Sequence, residues 1–407
     1  MILAMAPDES GRPRRILLVD CDAFFVQVAR LEDPEGVGKV DLLLVGGSQT
    51  GRGVVTSASY GARRFGVRSA MPTAQALRLC PEATVVAVPR HACGRKSREI
   101  KVCLEGLAPV VQAASIDEFY LDLAGTERLF GETLEATAHR IRETVLKATE
   151  VSVSIGGGAR RMIAKLASGV AKPGGVHIVP AGQEAEFMKG LDLAEIPGVG
   201  PALVEALRKR GLVRIEDALG VQSAWLERWF GARRGEWLYH RMRGLDASNV
   251  DPREPRRSIS SERTFLQDLK SDEDLERMLL GLSTSVSRTL RKAGLRARTI
   301  TVKLRDGDFK TRSRSQTVAE PLETNGAIYG IARDLLADLR RRRRTPARLL
   351  GVGLTNLGSG DEAAQFGLFA DKNTLEGPRE RALGHVLDGL SERFGDSAVV
   401  PGRIIGD

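Results

Sequence analysis

Two pairs of acidic residues, each directly after a strand-length apolar run, restrict how this 407-residue chain can fold. Asp20 and Asp22 end the first run. Asp117 and Glu118 lie at the tip of a hairpin predicted over Val110–Leu123. Like charges repel each other where water is scarce, and a divalent cation such as Mg²⁺ relieves that repulsion through hard oxygen ligands. Either pair alone is explained by acidic residues in a solvent-exposed turn. For the two pairs together, exposed turns and a metal site are equally good interpretations.

Strand and helix patterns predict an α+β multidomain protein. The first long segment alternates short apolar strands with amphipathic helices, as in a sheet covered by helices on one face. A helical segment punctuated by Gly and Pro follows, then a polar linker, and then a segment in the split β-α-β-β-α-β order. These segments are predicted at Arg14–Pro180, Ala181–Gly244, Asp246–Arg257 and Ser258–Leu357, with a last helix at Pro378–Phe394.

The net charge of +9 is concentrated in two stretches of the C-terminal half. Residues Arg288–Arg314 contain ten Lys or Arg and two Asp, and Arg340–Arg344 is a run of five arginines. Cationic stretches of this kind indicate a polyphosphate or nucleic-acid partner. A solvated helix face is the alternative, and for Arg340–Arg344 the two interpretations are equally good.

Several other classes of protein are disfavoured. The four cysteines form no CxxC pair, which argues against a zinc site or a disulfide framework. The five histidines show no HxxxH spacing, so surface or packing roles are expected for them. No apolar run approaches the roughly 18 residues of a membrane span, and residues 1–7 lack the features of a signal peptide. We therefore expect a cytoplasmic protein with no membrane partner.

Motifs in unbroken order from Arg14 to Phe369 resemble those of the Y-family translesion DNA polymerases, in particular the bacterial DNA polymerase IV (DinB) type. Two of the motifs contain the acidic pairs, Val-Asp-Cys-Asp-Ala-Phe-Phe at 19–25 and Ala-Ser-Ile-Asp-Glu at 114–118. The others lie at 58–63, 65–67, 164–168, 171–175, 262–265 and 298–299. The resemblance implies template-directed, error-prone DNA synthesis past damaged bases, by nucleotidyl transfer from a dNTP to a primer 3′-OH without proofreading.

For the acidic pairs, the resemblance implies catalysis by two metal ions. Asp20, Asp117 and Glu118 are the implied catalytic residues and the implied Mg²⁺ ligands. The backbone carbonyl of Cys21 would be a further ligand, whereas Asp22 is given no primary ligand role. Two such ions stabilise both the attacking and the leaving oxygen of a phosphoryl transfer.

For the nucleotide, the resemblance implies a triphosphate site and a steric gate. Tyr60, Arg63 and Lys172 match residues that hold the incoming triphosphate, as suits two cations and a hydroxyl donor. Phe25 matches the aromatic side chain against which a ribose 2′-OH would clash, so that bulk alone selects deoxynucleotides. Without the family, Phe24 and Phe25 would both be assigned to the core.

The resemblance implies a right-hand polymerase with a ferredoxin-like palm, small fingers, a helical thumb and a little-finger domain. In the helix-hairpin-helix expected in the thumb, Gly198 and Gly200 would let backbone N–H groups approach a phosphate of the primer-template DNA. In the little finger, Arg296, Arg298 and Lys303 would contact the duplex backbone without reading sequence. The expected boundaries are an N-terminal extension at 1–13, a palm at 14–23 and 90–180, fingers at 24–89, a thumb at 181–245, a linker at 246–257, a little finger at 258–358 and a tail at 359–407.

The tail pentapeptide 365–369 resembles the peptide that docks bacterial polymerases on the sliding clamp (β subunit). Gln365 supplies an amide, and Leu368 and Phe369 supply apolar anchors on an extended segment. Packing of this apolar pair against the chain's own domains is the alternative. The chain itself is expected to be a monomer.

Departures from the family pattern and two rival functions stay open. Gly157 and Gly158 stand in a segment where the family has a bulkier residue after the first glycine, Arg160 replaces an Asn, and Gly61 replaces a common acidic residue. These departures concern the nucleotide pocket and remove no metal ligand.

A non-catalytic, clamp-binding accessory protein would lack the carboxylates. A nucleotide cyclase would need neither the basic C-terminal domain nor the clamp peptide.

Overall fold

The computed structural model describes residues 14–49, 51–359, 375–395, 398–399 and 401–402. The chain divides between Glu254 and Pro255 into two compact units. The predicted clamp-binding residues Gln365, Leu368 and Phe369 lie outside the described residues, as does the N-terminal extension 1–13. Within the described ranges, no helix is both long and apolar enough to cross a membrane.

The first unit is built on a mixed sheet with the order β5-β6-β1-β7-β8. β1 is antiparallel to both β6 and β7, so the strand that carries Asp20 lies at the centre of the sheet. A second sheet has the order β3-β2-β4. The strands of this unit are β1 (Ile16–Cys21), β2 (Leu43–Gly46), β3 (Val55–Ala58), β4 (Thr84–Val86), β5 (Val110–Ala113), β6 (Glu118–Asp122), β7 (Val153–Gly158) and β8 (Val176–Ile178).

Helices cover the central sheet and then form a segment of their own. Ile100 and Ile141, on two of these helices, pack in one apolar core with Leu17 and Phe119 of the sheet. The later helices enclose a separate core that includes Leu203 and other aliphatic side chains. The helices are α1 (Phe24–Glu32), α2 (Tyr60–Arg64), α3 (Thr73–Leu79), α4 (Arg90–Glu105), α5 (Glu127–Phe130), α6 (Leu134–Thr149), α7 (Arg161–Ala171), α8 (Glu184–Lys189), α9 (Pro201–Arg208), α10 (Ile215–Leu219), α11 (Ser223–Phe230) and α12 (Ala232–Met242), with 3₁₀ turns at Val37–Lys39 and Leu193–Glu195.

Consecutive glycines at the end of β7 let α7 pack directly on the strand. A Cβ at Gly156 would lie 2.0 Å from the backbone nitrogen of Ser168, so no larger residue fits there. At Gly157 the methyl groups of Ile178 and Leu17 lie 2.5 and 2.7 Å from where a Cβ would be. Two aliphatic side chains therefore fill the space that a bulkier residue would take.

The second unit has the element order β9, α13, β10, β11, α14, β12, which confirms the predicted β-α-β-β-α-β pattern. Its strands form an antiparallel sheet in the order β11-β10-β12-β9. Both helices pack on one face of the sheet, where Leu279 and Leu336 meet Ile300 and Val302. The elements are β9 (Ser258–Leu269), α13 (Asp272–Lys292), β10 (Leu295–Asp306), β11 (Thr311–Leu322), α14 (Asn325–Arg342), β12 (Ala347–Ser359) and α15 (Pro378–Phe394).

Many arginines of the second unit hold its own elements together. The buried guanidinium of Arg291, on α13, pairs with Asp388 of α15 at 2.7 Å. Arg340 is also buried and pairs with Asp272 at 2.5 Å. Within the run Arg340–Arg344, aspartates also pair with the guanidinium groups of Arg341, Arg342 and Arg343. Much of the charge of this run is therefore compensated inside the unit.

Candidate active site

The register of the central sheet brings the predicted carboxylates to one place. β1 pairs with β6 so that Asp20 lies directly opposite Glu118. The backbone N–H of Cys21 donates to the carbonyl oxygen of Asp117 at 3.0 Å. Asp20 is only 6% exposed, whereas Asp117 and Glu118 are half-buried. Two acidic pairs that lie far apart in the sequence thus become neighbours through strand pairing.

Two lysines compensate the charge of these carboxylates. The Nζ atom of Lys172 lies 2.6 Å from Oδ1 of Asp20. The Nζ atom of Lys165, on α7, lies 2.7 and 2.8 Å from the two carboxylate oxygens of Glu118. Burial raises the pKa of Asp20 to about 6, although the ion pair with Lys172 acts in the opposite direction. The site is therefore anionic at its centre and lined by ammonium groups.

The chemistry of Cys21 leaves only its backbone as a ligand for a hard cation. Burial raises the pKa of its thiol well above the usual value, and the carboxylates of Asp117, Asp20 and Asp22 act in the same direction. The thiol therefore stays protonated, and a protonated thiol is a poor metal ligand. A carbonyl oxygen is the donor type that Mg²⁺ accepts.

The donor set fits a divalent cation in chemistry and in backbone position. Three carboxylates and a backbone carbonyl are all hard oxygen donors. Within the described ranges, no three His, Cys, Asp or Glu side chains are gathered as a metal-binding group. Each carboxylate instead has its own partner, since Asp20 and Glu118 face lysines and the Ser115 hydroxyl donates to Asp117 at 2.5 Å. A bound cation would replace the ammonium groups as the counter-charge.

The residues predicted to bind triphosphate are brought together beside the carboxylates. The Ser59 hydroxyl accepts the N–H of Ala62 at 3.2 Å and caps α2, which begins at Tyr60. The Arg63 guanidinium, on the same helix, lies 4.9 Å from the centre of the Tyr60 ring. Tyr60 and Arg63 line a cavity of about 790 Å³ together with Arg64, Arg68, Ser69 and Pro173. The last of these directly follows Lys172, so all three predicted residues are neighbours of one basic cavity.

Three cations of this site have no role in the sequence-based prediction. Arg64 and Arg68 add two guanidinium groups to the cavity wall. The signal for them is present in the sequence, since three arginines fall within the six residues 63–68. Lys165 lies in a motif at 164–168, but a lysine on an amphipathic helix does not reveal that its ammonium reaches Glu118.

Phe25 lies where α1 leaves the carboxylate-bearing strand. Ala23 adopts a left-handed conformation with φ of 43°, which turns the chain from β1 into α1. Phe24 is then buried in the core, while Phe25 is half-buried and contacts its ring edge-on at 5.5 Å between centroids. Phe25 and Tyr60 pack against the same small apolar cluster. Phe25 is therefore a half-buried ring at the start of α1 that shares an apolar cluster with Tyr60 of the basic cavity.

The predicted helix-hairpin-helix glycines differ in their surroundings. Gly198 has φ of +95°, and a Cβ there would lie 2.9 Å from the ring of Trp237, so this turn requires glycine. Gly200 is the residue before α9 and has no atom within 4 Å of where a Cβ would be. Its backbone therefore allows close approach of a ligand to the positive end of α9.

The three predicted little-finger cations also differ in their partners. Arg296 pairs with Glu323 at 3.1 Å, and Lys303 pairs with Glu262 at 2.8 Å. Arg298 is exposed and donates to the carbonyl oxygen of Ala319, which carries no net charge. The three basic residues are therefore unequal as candidates for binding phosphate.

Known protein families match most of the chain. Models of the impB/mucB/samB family and of its C-terminal domain match residues 19–169 and 256–368, and the DNA polymerase-iota thumb domain matches 194–246. A DNA polymerase IV from Desulfatibacillum aliphaticivorans is 37% identical over 392 residues, covering 96% of this chain and 97% of that protein. A DNA polymerase IV from Caulobacter vibrioides is 36% identical over 388 residues, covering 95% and 93%.

Solved structures of Y-family polymerases share the fold. A Y-family DNA polymerase chimera of Dbh and Dpo4 has a TM-score of 0.76 at 26% identity, covering 85% of this chain and 99% of the chimera. The DinB protein of Sulfolobus solfataricus has a TM-score of 0.57 at 25% identity, covering 84% and 98%. These matches confirm the predicted fold class, and the family depends on a divalent metal. The chain therefore belongs to the Y family of DNA polymerases, DinB type, and synthesises DNA on a template past damaged bases.

Proposed function

We propose that the reaction uses two Mg²⁺ ions held by Asp20, Asp117, Glu118 and the backbone carbonyl of Cys21. The observation that supports this assignment is the register of β1 and β6, which sets Asp20 opposite Glu118 and joins Cys21 to Asp117. Bound Mg²⁺ would stabilise the attacking and leaving oxygens of the nucleotidyl transfer. Few side-chain proton transfers are then needed, because positioning and electrostatics supply most of the catalysis.

The protein's own contribution is to bind and orient the dNTP. Tyr60, Arg63 and Lys172 would hold the triphosphate, with Arg64 and Arg68 adding positive charge to the cavity wall. Lys172 would exchange its contact with Asp20 for one with a phosphate oxygen. Phosphate charge and cavity charge are complementary, which supports this orientation of the nucleotide.

Primer extension with the purified full chain tests the proposed reaction. We expect template-dependent addition of dNMP units to a labelled primer, release of pyrophosphate, and loss of activity when the divalent metal is chelated. A non-catalytic accessory protein would bind the DNA but not extend the primer. A nucleotide cyclase would release pyrophosphate without a template. No 3′-end degradation is expected, because the chain is proposed to lack proofreading.

The exposed cation on β10 leads to a prediction about salt. We propose that the second unit binds the primer-template backbone and that Arg298 is a phosphate contact. DNA affinity should then fall linearly with salt on a log–log plot, with a slope of about −0.9 for each phosphate neutralised. R298A should reduce the magnitude of that slope by about 0.9 and weaken binding equally for unrelated DNA sequences. Fluorescence anisotropy with labelled primer-template at several salt concentrations measures both effects.

Arg296 provides the matched control on the same strand. Its charge is paired with Glu323, so R296A should change the slope less than R298A. An equal effect of the two substitutions would contradict the assignment of Arg298. A salt-independent affinity of the unchanged protein would contradict phosphate binding by this unit altogether.

The tail peptide leads to a prediction about the sliding clamp. We propose that Gln365, Leu368 and Phe369 dock on the clamp as an extended peptide. Changing all three to Ala should leave basal primer extension unchanged and remove the gain in processivity on addition of clamp. The reason is that tethering raises the effective concentration of the polymerase at the primer end. Product-length distributions with and without clamp measure the gain.

A second triple variant separates clamp docking from general loss of apolar surface. Leu383, Val386 and Leu390 are exposed on α15, and changing them to Ala should leave the stimulation by clamp intact. If the peptide instead packs on the chain's own domains, the first variant will lose thermal stability and clamp stimulation will survive.

We propose that the protein acts as a monomer in the cytoplasm, where its DNA substrate lies. The palm (14–23 and 90–180), fingers (24–89), thumb (181–245), linker (246–257), little finger (258–358) and tail (359–407) are the proposed domains. Analytical ultracentrifugation without DNA tests the oligomeric state.

A further inference from the structure

A buried carboxylate outside the proposed ligand set links three parts of the nucleotide site. Asp22 is 3% exposed. Its Oδ1 accepts hydrogen bonds from the Tyr60 hydroxyl at 3.1 Å and from the Ser154 hydroxyl at 2.7 Å. Its Oδ2 accepts from the Ser152 hydroxyl and from the backbone N–H of Gly174, both at 2.9 Å. One side chain thus joins helix α2, the start of β7 and the turn that follows α7.

These four donors account for the stability of a buried negative charge. A buried carboxylate is costly unless its lone pairs are satisfied, and its two oxygens offer about four acceptor sites. Three of the donors, the two serine hydroxyls and the backbone N–H of Gly174, would hold the carboxylate without Tyr60. The fourth bond instead reaches Tyr60, whose ring lines the basic cavity. The Gly174 bond fixes the backbone two residues after Lys172.

We propose that Asp22 is a positioning residue for the incoming nucleotide, which holds Tyr60 and the Lys172–Gly174 turn in place before the triphosphate binds. This proposal rests on the proposed triphosphate-binding role of Tyr60 and Lys172. A site ordered in advance loses less conformational freedom when its ligand binds. The single O–H of Tyr60 can turn from Asp22 to a phosphate oxygen, and the carboxylate then keeps its three other donors.

The D22N variant tests the proposal by changing charge and not shape. The neutral amide removes the charge from every charge-assisted bond of the network, and whichever way it turns, its NH₂ group replaces the oxygen that accepts either from the Gly174 N–H or from the Tyr60 hydroxyl. We expect KM for dNTP to rise about tenfold, the cost of one such bond, while kcat and the affinity for primer-template DNA stay within about twofold to threefold. Steady-state single-nucleotide insertion and DNA-binding titrations give these quantities. A merely structural role would lower the melting temperature and leave KM for dNTP unchanged.

A double-mutant cycle separates this proposal from the proposed function on which it rests. Y60F should raise KM for dNTP by itself, and the double variant should raise KM by less than the product of the two single effects, because Y60F already removes the part of the Asp22 effect that acts through the Tyr60 hydroxyl. If Y60F leaves KM unchanged, the triphosphate assignment of Tyr60 fails. If Y60F raises KM but D22N does not, or if the two effects multiply, the positioning role is wrong and the triphosphate site stands.

Two further outcomes concern a fall in KM and a D22N protein that does not fold. A fall in KM for D22N would mean that Asp22 competes with phosphate for the tyrosine proton, which overturns the proposal. If D22N does not fold, the S152A/S154A variant keeps the carboxylate and removes two of its anchors. KM for dNTP should rise in that variant too, and an unchanged KM would contradict the proposal.

Discussion

We expect the D117A/E118A variant to lose primer extension by at least about 1,000-fold, as is usual when an essential catalytic group is removed. The variant lacks two of the three carboxylates that strand pairing brings together, and Asp20 alone cannot hold two cations. DNA affinity should stay within about twofold, because phosphate contacts are proposed to lie on basic residues elsewhere. Primer extension and a DNA-binding titration on the same preparation measure the two quantities.

A control variant removes two carboxylates that lie away from the site. Glu35 and Glu143 have side chains that are 85% and 71% exposed, so E35A/E143A should keep full activity. Both double variants lose the same formal charge. Retained synthesis by a sequence-verified D117A/E118A protein would show that other groups hold the metal.

Elements whose signals are local were predictable from the sequence. The last helix is predicted at Pro378–Phe394, and the structure has it at those residues, with the proline in the first turn. The hairpin over Val110–Leu123 and the β-α-β-β-α-β order were also predicted correctly. Each depends on the spacing of apolar residues along a short segment, which a single sequence displays directly.

Charge partners distant in sequence were not predictable. The run Arg340–Arg344 was equally consistent with a DNA contact and with a solvated helix end. The structure pairs Arg340 with Asp272 and Arg291 with Asp388, and both arginines are buried. A count of charges along a segment cannot show which of them is compensated by a residue from another element. The same limit explains why Arg296 and Arg298 looked equivalent in the sequence.

The residues of the candidate active site were assigned from motifs, because the acidic residues alone did not decide between two interpretations. From spacing, the two acidic pairs were as easily solvated turns as a metal site. The register that sets Asp20 opposite Glu118 belongs to the folded sheet. The hydrogen-bond network around Asp22 was even less predictable from the sequence, because its donors come from β7, α2 and the turn after α7. The assignment of the site residues therefore depended on motifs that match a family.

The steric gate leads to the second large effect. We expect F25A to reduce discrimination between dNTP and rNTP by at least about tenfold, since removing the ring opens space for a 2′-OH. Phe25 is half-buried and packs against the same apolar cluster as Tyr60, which lines the proposed triphosphate cavity. The ratio of kcat/KM for matched dNTP and rNTP insertion measures the change. Insertion of dNTP itself should be affected much less.

The neighbouring ring supplies the matched control for this experiment. Phe24 is 1% exposed and contacts Phe25 edge-on, but it lies in the core of the first unit. F24L should therefore lower the melting temperature, because it removes buried aromatic volume, and leave sugar discrimination within about twofold. If F25A and F24L reduce discrimination equally, selection reflects general packing of α1. If F25A leaves discrimination unchanged, the gate is a different side chain, and Phe25 is a core residue as its apolar surroundings alone would suggest.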